Sequence, residues 1–106
     1  MTINILINNA GFGLMGPAAE TPVEMYRKVL ETNFFAQINL TQKLLKFIPK
    51  TPESRIVNIG SISGVLITPF ASPYCSSKAA FNSFSDGLRM ELKPFGIKVI
   101  SVQPGA

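Results

Sequence analysis

The residues best suited to chemistry are a tyrosine and a lysine that stand four positions apart, Tyr74 and Lys78. In a helix this spacing places both side chains on one face, so the phenol and the ammonium lie close together. A free phenol has a pKa near ~10 and is a poor base at neutral pH, but a neighbouring cation favours the phenolate. The pair is therefore suited to proton transfer by general acid–base catalysis.

A serine hydroxyl is the third group suited to this chemistry. Ser61 lies in the turn 60–64, Gly-Ser-Ile-Ser-Gly, directly after an apolar segment that predicts a strand. From that turn its hydroxyl would reach a substrate oxygen that Tyr74 also contacts, and would stabilise negative charge developing there. Ser63 is the competing serine, although Ser61 fits the strand end better. The ordinary alternative is that Tyr74 and Lys78 are surface residues, since their spacing often arises by chance.

The elements that must position these residues follow from the hydrophobic pattern. Apolar segments at 3–7, 55–59 and 97–102 predict strands buried on both faces, each followed by a glycine-containing turn. Helical periodicity predicts helices over about 21–48 and 74–92, the first with Thr21 as its N-cap.

The resulting order, β-α-β-α-β, determines the fold class. It indicates parallel strands joined by right-handed crossovers, as in an α/β fold with half of a Rossmann-like, doubly wound parallel sheet. The expected organisation is one partial domain spanning residues 1–106. Since ligands bind at the carboxyl ends of such strands, function is expected in the three turns that follow them.

A glycine pattern after the first predicted strand matches a phosphate-binding motif but is not expected to be one. Residues 11–16 read Gly-Phe-Gly-Leu-Met-Gly, which fits G-x-G-x-x-G. In a dinucleotide site a helix opens immediately after the strand, and its N-terminus binds the pyrophosphate. Here Pro17 and a further loop follow, so no pyrophosphate site is predicted in this segment.

Composition excludes several classes of protein. The 106 residues are 46% hydrophobic and 15% charged, which is in the range of one globular domain. The net charge is +4, but the basic residues are dispersed, so no nucleic-acid surface is predicted. One cysteine and no histidine provide neither an internal disulfide nor a zinc site. No signal peptide or membrane span is indicated, and a cytoplasmic protein is expected.

Five motifs in this order resemble the central part of the short-chain dehydrogenase/reductase family. They span nearly the whole chain and are Asn8-Asn9-Ala10-Gly11, Asn33, Ser61, Tyr74-x-x-x-Lys78 and Pro104-Gly105. The resemblance implies hydride transfer between a nicotinamide cofactor, NAD or NADP, and an alcohol or carbonyl substrate. It implies that Tyr74 is the catalytic acid/base, that Lys78 lowers the tyrosine pKa and binds the nicotinamide ribose, and that Ser61 holds the substrate oxygen.

For Asn33 and Cys75, the sequence leaves a structural alternative beside the chemical one. Asn33 resembles the helix asparagine that supports a water-linked proton relay beside the lysine. Its alternative is a buried polar side chain satisfied by backbone groups. Cys75 adjoins Tyr74, but no histidine is present to activate it, so a packing role is expected.

The same resemblance implies the cofactor contacts and the partners. Lys78 and Tyr74 are both expected to contact the cofactor, Lys78 at the nicotinamide ribose. The turn of Asn9, Ala10 and Gly11 is similar to the one lining the adenosine side of the cofactor. Pro104 and Gly105 are similar to the turn against the nicotinamide. The motifs look similar to those of members acting on steroids, retinoids or lipid-derived ketones. A homo-oligomer of the full-length protein is expected. The stripe of Phe81, Phe84 and Leu88 indicates helix packing; a subunit contact is the alternative, because in this family such a helix often joins a dimer interface.

Relative to a whole family member, the chain is expected to lack two parts. These are the N-terminal glycine-rich cofactor turn and the C-terminal substrate region. By itself, the 106-residue chain is therefore expected to be inactive or marginally folded. The alternative to an oxidoreductase is a truncated or non-catalytic fragment that acts only as a binding or dimerisation module.

Overall fold

The computed structural model describes residues 2–9, 11–13 and 15–104. None of the helices in these ranges is long and apolar enough to cross a membrane. The regular elements, in chain order, are β1 (Ile5–Asn8), α1 (Val23–Leu30), a π-helical turn (Glu31–Phe35), α2 (Ala36–Leu44), a 3₁₀ turn (Leu45–Phe47), β2 (Arg55–Ile59), a 3₁₀ turn (Ile62–Gly64), α3 (Ser72–Leu92), a 3₁₀ turn (Lys93–Phe95) and β3 (Lys98–Val102).

The three strands form one parallel sheet in the order β1-β2-β3, which confirms the predicted α/β fold. β2 lies in the centre, with Asn58 opposite Asn8 of β1 and opposite Ser101 of β3. Because all strands run in one direction, their carboxyl ends meet at a single edge of the sheet. The turns that carry the predicted site residues therefore lie at that edge.

Only one face of the sheet is covered by the described helices. Leu6, Ile56 and Val99 are at most 7% exposed, whereas the alternate residues Ile5 and Ile7 are 56% and 58% exposed. Leu44 of α2 and Leu88 of α3 pack against a hydrophobic cluster in the described part of the chain. Its six buried side chains are Leu6, Ile48, Ile56, Leu92, Ile97 and Val99. Burial on both faces is therefore wrong for this chain. Two right-handed crossovers that step in the same direction across a sheet place their helices on the same side.

The helix boundaries differ from the predicted ones in three places. Thr21 does not cap the first helix, because its hydroxyl donates to the carbonyl of Pro17 at 2.7 Å and the helix begins at Val23. The predicted long first helix is divided by the π-helical turn and ends as a 3₁₀ turn. α3 begins at Ser72, two residues early, since Pro73 suits a first helical turn.

A chain of buried hydrogen bonds joins the sheet to both helices. Asn8 Nδ2 donates to Asn58 Oδ1 at 2.8 Å and to Thr41 Oγ1 of α2 at 3.1 Å. Asn58 Nδ2 in turn donates to Ser85 Oγ of α3 at 2.8 Å. All four residues are at most 2% exposed. Buried polar groups that are paired in this way fix the relative position of the elements that carry them.

We expect Asn58→Leu to lower the free energy of unfolding by about 2–3 kcal/mol, because Asn8 and Ser85 each lose a buried hydrogen-bond partner. The measurement is urea unfolding of the natural protein that contains this chain. The control is Asn39→Ala, which removes an exposed asparagine of α2 and should change stability by less than about 0.5 kcal/mol. Equal effects of the two substitutions would contradict the structural importance of the buried chain.

Candidate active site

An open cavity of about 460 Å³ lies at the carboxyl edge of the sheet, beside the first turns of α3. Six of the residues that line it were predicted from the sequence: Asn9, Gly11, Ser61, Tyr74, Lys78 and Pro104. The others are Phe12, Gly13, Ile59, Gly60 and Ser63. Two further residues predicted for the cofactor site, Ala10 and Gly105, lie outside the described residues. The fold thus brings residues from four separate segments to one cavity.

Helix α3 holds the tyrosine and the lysine on the same side. Tyr74 lies in the first turn, and Lys78 follows one turn later. The Lys78 Nζ atom is 5.7 Å from the centroid of the Tyr74 ring and 5.8 Å from that of Phe81. The ammonium therefore lies within the range of favourable cation–π contact with two rings, next to the phenol.

Lys78 is a buried cation, with only 5% of the residue exposed. Among the described residues, no hydrogen bond or ion pair reaches its ammonium group. Burial lowers the pKa of Lys78 below its ordinary value of 10.5, because the charged form loses its hydration. A ligand oxygen entering the cavity would supply the acceptor that the ammonium needs.

Ser61 is held at the start of the 3₁₀ turn that follows β2. Its Oγ atom accepts a hydrogen bond from the backbone N–H of Ser63 at 3.1 Å, and the residue is 8% exposed. The Ser61 hydroxyl hydrogen remains available for donation, because the oxygen serves here as the acceptor. Ser63, the competing serine, also lines the cavity, but its backbone N–H serves to orient Ser61.

Asn33 lies behind the cavity wall rather than in its lining. Its carboxamide pairs with the backbone of Phe12 in both directions: Oδ1 accepts from the N–H at 2.8 Å, and Nδ2 donates to the C=O at 2.8 Å. The same Nδ2 donates to Ser77 Oγ at 2.9 Å, and that hydroxyl donates to the carbonyl of Tyr74 at 2.7 Å. The Asn33 side chain is thus satisfied largely by backbone groups, as in the structural alternative, and it ties the loop after β1 to α3.

Ser77 and Phe12 are members of the site that the sequence did not reveal. Phe12 contributes through its backbone, which every residue type has, so its identity carries no signal. Ser77 stands three residues after Tyr74 on the same helix, and this spacing is the one signal that could have identified it.

The glycines of segment 11–16 allow a close approach of the loop to α3. A Cβ atom on Gly11 would lie 3.0 Å from Asn33 Oδ1 and 3.3 Å from Lys78 Nζ. A Cβ atom on Gly13 would lie 3.2 Å from Cδ1 of Tyr74. The next helix begins only at Val23, so the described part of this segment agrees with the rejection of a pyrophosphate motif.

Comparison with known proteins shows the family to which the chain belongs. The model of the short chain dehydrogenase family matches residues 1–106. The chain is 43% identical over 104 residues to the uncharacterized oxidoreductase YusZ of Bacillus subtilis, covering 98% of this chain and 37% of that protein. It is 38% identical over 107 residues to the NADPH-dependent 3-dehydrocapnine reductase of Ornithobacterium rhinotracheale, covering 97% of this chain and 38% of that one.

A solved structure gives the same result for the fold. A short-chain dehydrogenase from Streptomyces avermitilis superposes with a TM-score of 0.91 at 38% identity, covering 99% of this chain and 39% of that one. The α/β fold with its site at the carboxyl edge defines a Rossmann-type protein. The chain belongs to the short-chain dehydrogenase family, and it spans about two fifths of the length of the relatives described here.

We expect Lys78→Met to raise the free energy of unfolding at neutral pH, because it removes a charge that burial destabilises. The pKa of Lys78 is lower in the folded state, so the folded protein releases its proton at a lower pH than the unfolded chain does. Wild-type stability then rises as the pH approaches 10.5, and the advantage of the variant shrinks.

Urea unfolding at pH values of about 7 and about 9.5 measures this difference. Lys43→Met is the matched control, because Lys43 is an exposed lysine on α2. An advantage of Lys78→Met that stays constant between the two pH values would contradict the assignment of its cause to the buried charge.

Proposed function

We propose that this chain provides the proton-transfer centre of an NAD(P)-dependent oxidoreductase that interconverts an alcohol and a carbonyl compound. The observation that carries the proposal is the lining of a single cavity by Ser61, Tyr74 and Lys78. A hydroxyl donor, a phenol and a cation around one open space are the groups that a carbonyl reduction requires. Membership of the short-chain dehydrogenase family supports this class of reaction.

The residues present fit a nicotinamide cofactor. The Lys78 ammonium, which has no hydrogen-bond partner in the described structure, would bind the hydroxyl oxygens of the nicotinamide ribose. Gly11 leaves open the space beside that ammonium, where any larger residue would approach Nζ to 3.3 Å. Asn9 would line the adenosine side, and Pro104 the nicotinamide side. When bound, the nicotinamide supplies or accepts the hydride.

In the direction of reduction, Tyr74 donates its phenolic proton to the substrate oxygen while the carbonyl carbon receives a hydride. Ser61 donates a hydrogen bond to the same oxygen and stabilises the negative charge that develops on it. The Lys78 ammonium stabilises the phenolate that remains after the proton has left. In the direction of oxidation, the phenolate accepts the proton of the alcohol.

Asn33 contributes by fixing the walls of the cavity. Through Phe12 it positions the loop after β1, and through Ser77 it positions the carbonyl of Tyr74. The loop after β1 and the first turn of α3 are thereby held in fixed positions on the cavity wall. A rigid arrangement of this kind lowers the entropy that is lost when the substrate and the catalytic groups come together.

An apolar ketone or alcohol is the substrate class that the surroundings favour. The segment after the Ser61 turn carries three apolar side chains that are 61–65% exposed: Val65, Leu66 and Ile67. Side chains of this type near the cavity would pack against an apolar substrate.

Cys75 is free and buried, which is consistent with a reducing compartment such as the cytoplasm.

We expect Tyr74→Phe in the natural protein that contains this chain to lower kcat by about 10²–10⁴-fold, because the variant has no proton to transfer. Binding of NADH or NADPH should be retained, since the ring and Lys78 remain. Turnover of a panel of apolar ketones, followed by nicotinamide absorbance, measures the first effect, and fluorescence titration measures the second.

Tyr26→Phe is the matched control, since Tyr26 is the other of the two tyrosines in the chain. Its hydroxyl donates an exposed hydrogen bond to the carbonyl of Ala18. This variant should keep wild-type turnover. Retention of full activity by Tyr74→Phe would remove Tyr74 from the reaction. A wild-type protein that bound neither dinucleotide would contradict the proposed function as a whole.

A further inference from the structure

We infer that Asn82 is a positioning residue that sets the place of Ser61 relative to Tyr74 and Lys78. The inference rests on the proposed function and extends it to a residue outside the cavity lining. Asn82 lies one helical turn beyond Lys78, which lies one turn beyond Tyr74. The three side chains therefore project from the same side of α3.

The carboxamide of Asn82 lies between the two glycines that flank the Ser61 turn. A Cβ atom on Gly60 would collide with Oδ1 of Asn82, and a Cβ atom on Gly64 would collide with Nδ2. The Nδ2 group also donates a long hydrogen bond, 3.5 Å, to the carbonyl of Ser61. The amide group of one side chain thus occupies the space between the two ends of the turn.

The turn also lies directly against the backbone of α3. A Cβ atom on Gly64 would be 2.9 Å from both the carbonyl carbon and the oxygen of Lys78. Glycine at position 64 therefore permits a close contact with the backbone of Lys78 that a side chain at this position would prevent. Because Lys78 belongs to the cavity lining, this contact relates the serine turn to the lysine without an intervening side chain.

On its other side the turn is attached to the end of β3. The N–H of Gly60 donates to the carbonyl of Val102 at 2.8 Å, and the N–H of Ile62 donates to the carbonyl of Pro104 at 3.2 Å. Asn82 supplies the opposing contact from α3. Backbone hydrogen bonds fix the turn on one side and the Asn82 carboxamide fixes it on the other. The position of the turn sets the position of the Ser61 hydroxyl.

A small displacement of Ser61 would affect the reaction more than binding. Catalysis depends on the distance from the hydroxyl to the substrate oxygen, and an error of about 1 Å costs about 10²-fold in rate. The contacts of Asn82 are with the serine turn, whereas the ribose of the cofactor is assigned to the Lys78 ammonium and the space beside Gly11. Loss of Asn82 should therefore lower kcat and leave cofactor affinity unchanged.

The test is a double-mutant cycle of Asn82→Ala and Gly60→Ala in the natural protein that contains this chain. Asn82→Ala should lower kcat by about 10- to 100-fold, because the turn loses the carboxamide that occupies the space between its two ends. Gly60→Ala should lower it by a similar factor, because the new methyl group displaces the turn from Asn82.

The double variant should be no less active than Asn82→Ala alone, since without the carboxamide the methyl group at position 60 meets no close atom of residue 82. The dissociation constant for NADPH, from fluorescence titration, should stay at the wild-type value in all variants. Multiplicative losses in the double variant would overturn the inference, as would a loss of cofactor affinity that accounts for the fall in rate.

A second measurement is independent of turnover. Amide hydrogen exchange of Ser63, whose N–H is bonded to Ser61 Oγ, should accelerate in Asn82→Ala, while the amides of β1 and β2 remain protected. Asn39→Ala, which removes an exposed asparagine, should change neither exchange nor kcat. Unchanged exchange at Ser63 would overturn the inference. If the wild-type protein neither binds nor turns over dinucleotide, the proposed function fails, and the exchange result alone then decides whether Asn82 positions Ser61.

Discussion

The hydrogen bond between Asn8 and Asn58 is the contact on which the arrangement of the site depends. It joins β1 to the central strand. Asn8 also donates to Thr41 of α2, and Asn58 donates to Ser85 of α3, so both helices on the covered face are bonded to the sheet. Buried groups of this kind tolerate few alternatives, because an unpaired carboxamide in the core is costly. The residue that follows Asn8 lines the cavity, and Ser61 stands three positions after Asn58, so both strand ends are fixed by the same contact.

Helix α3 brings the separate segments together on one surface. Ser77 connects it to Asn33 and to the loop after β1, whereas Asn82 connects it to the serine turn. Tyr74 and Lys78, the two residues suited to proton transfer, lie on the same helix within about one turn of these contacts. Glycines at the points of closest approach let both loops reach the helix. The site is therefore organised around one rigid element, and rigid support of this kind keeps reacting groups in place.

At Lys78 the proposed function would be gained at the expense of stability. Lys78 as a residue is 5% exposed, and its ammonium lacks a hydrogen-bond or ion-pair partner among the described residues. Burial of this charge destabilises the fold, and the lowered pKa of Lys78 reflects the lost hydration. An apolar residue of similar length would pack at this position without that penalty. Strained or unsatisfied groups of this type concentrate at functional sites, where a ligand relieves them. Among the described residues, the buried cation is thus the electrostatic feature that best supports the proposed ligand site.

Local patterns in the sequence determined the order of strands and helices along the chain, the two long helical regions and the shared face of Tyr74 and Lys78, because helical and strand periodicities depend on near neighbours. They did not determine that one sheet face stays open, that Thr21 bonds to Pro17 instead of capping a helix, or that Asn33 clamps Phe12. They also gave no sign of Asn82, whose importance comes from two glycines about twenty residues away. Such contacts join segments that are distant in the chain, so only the packing of the folded elements decides them.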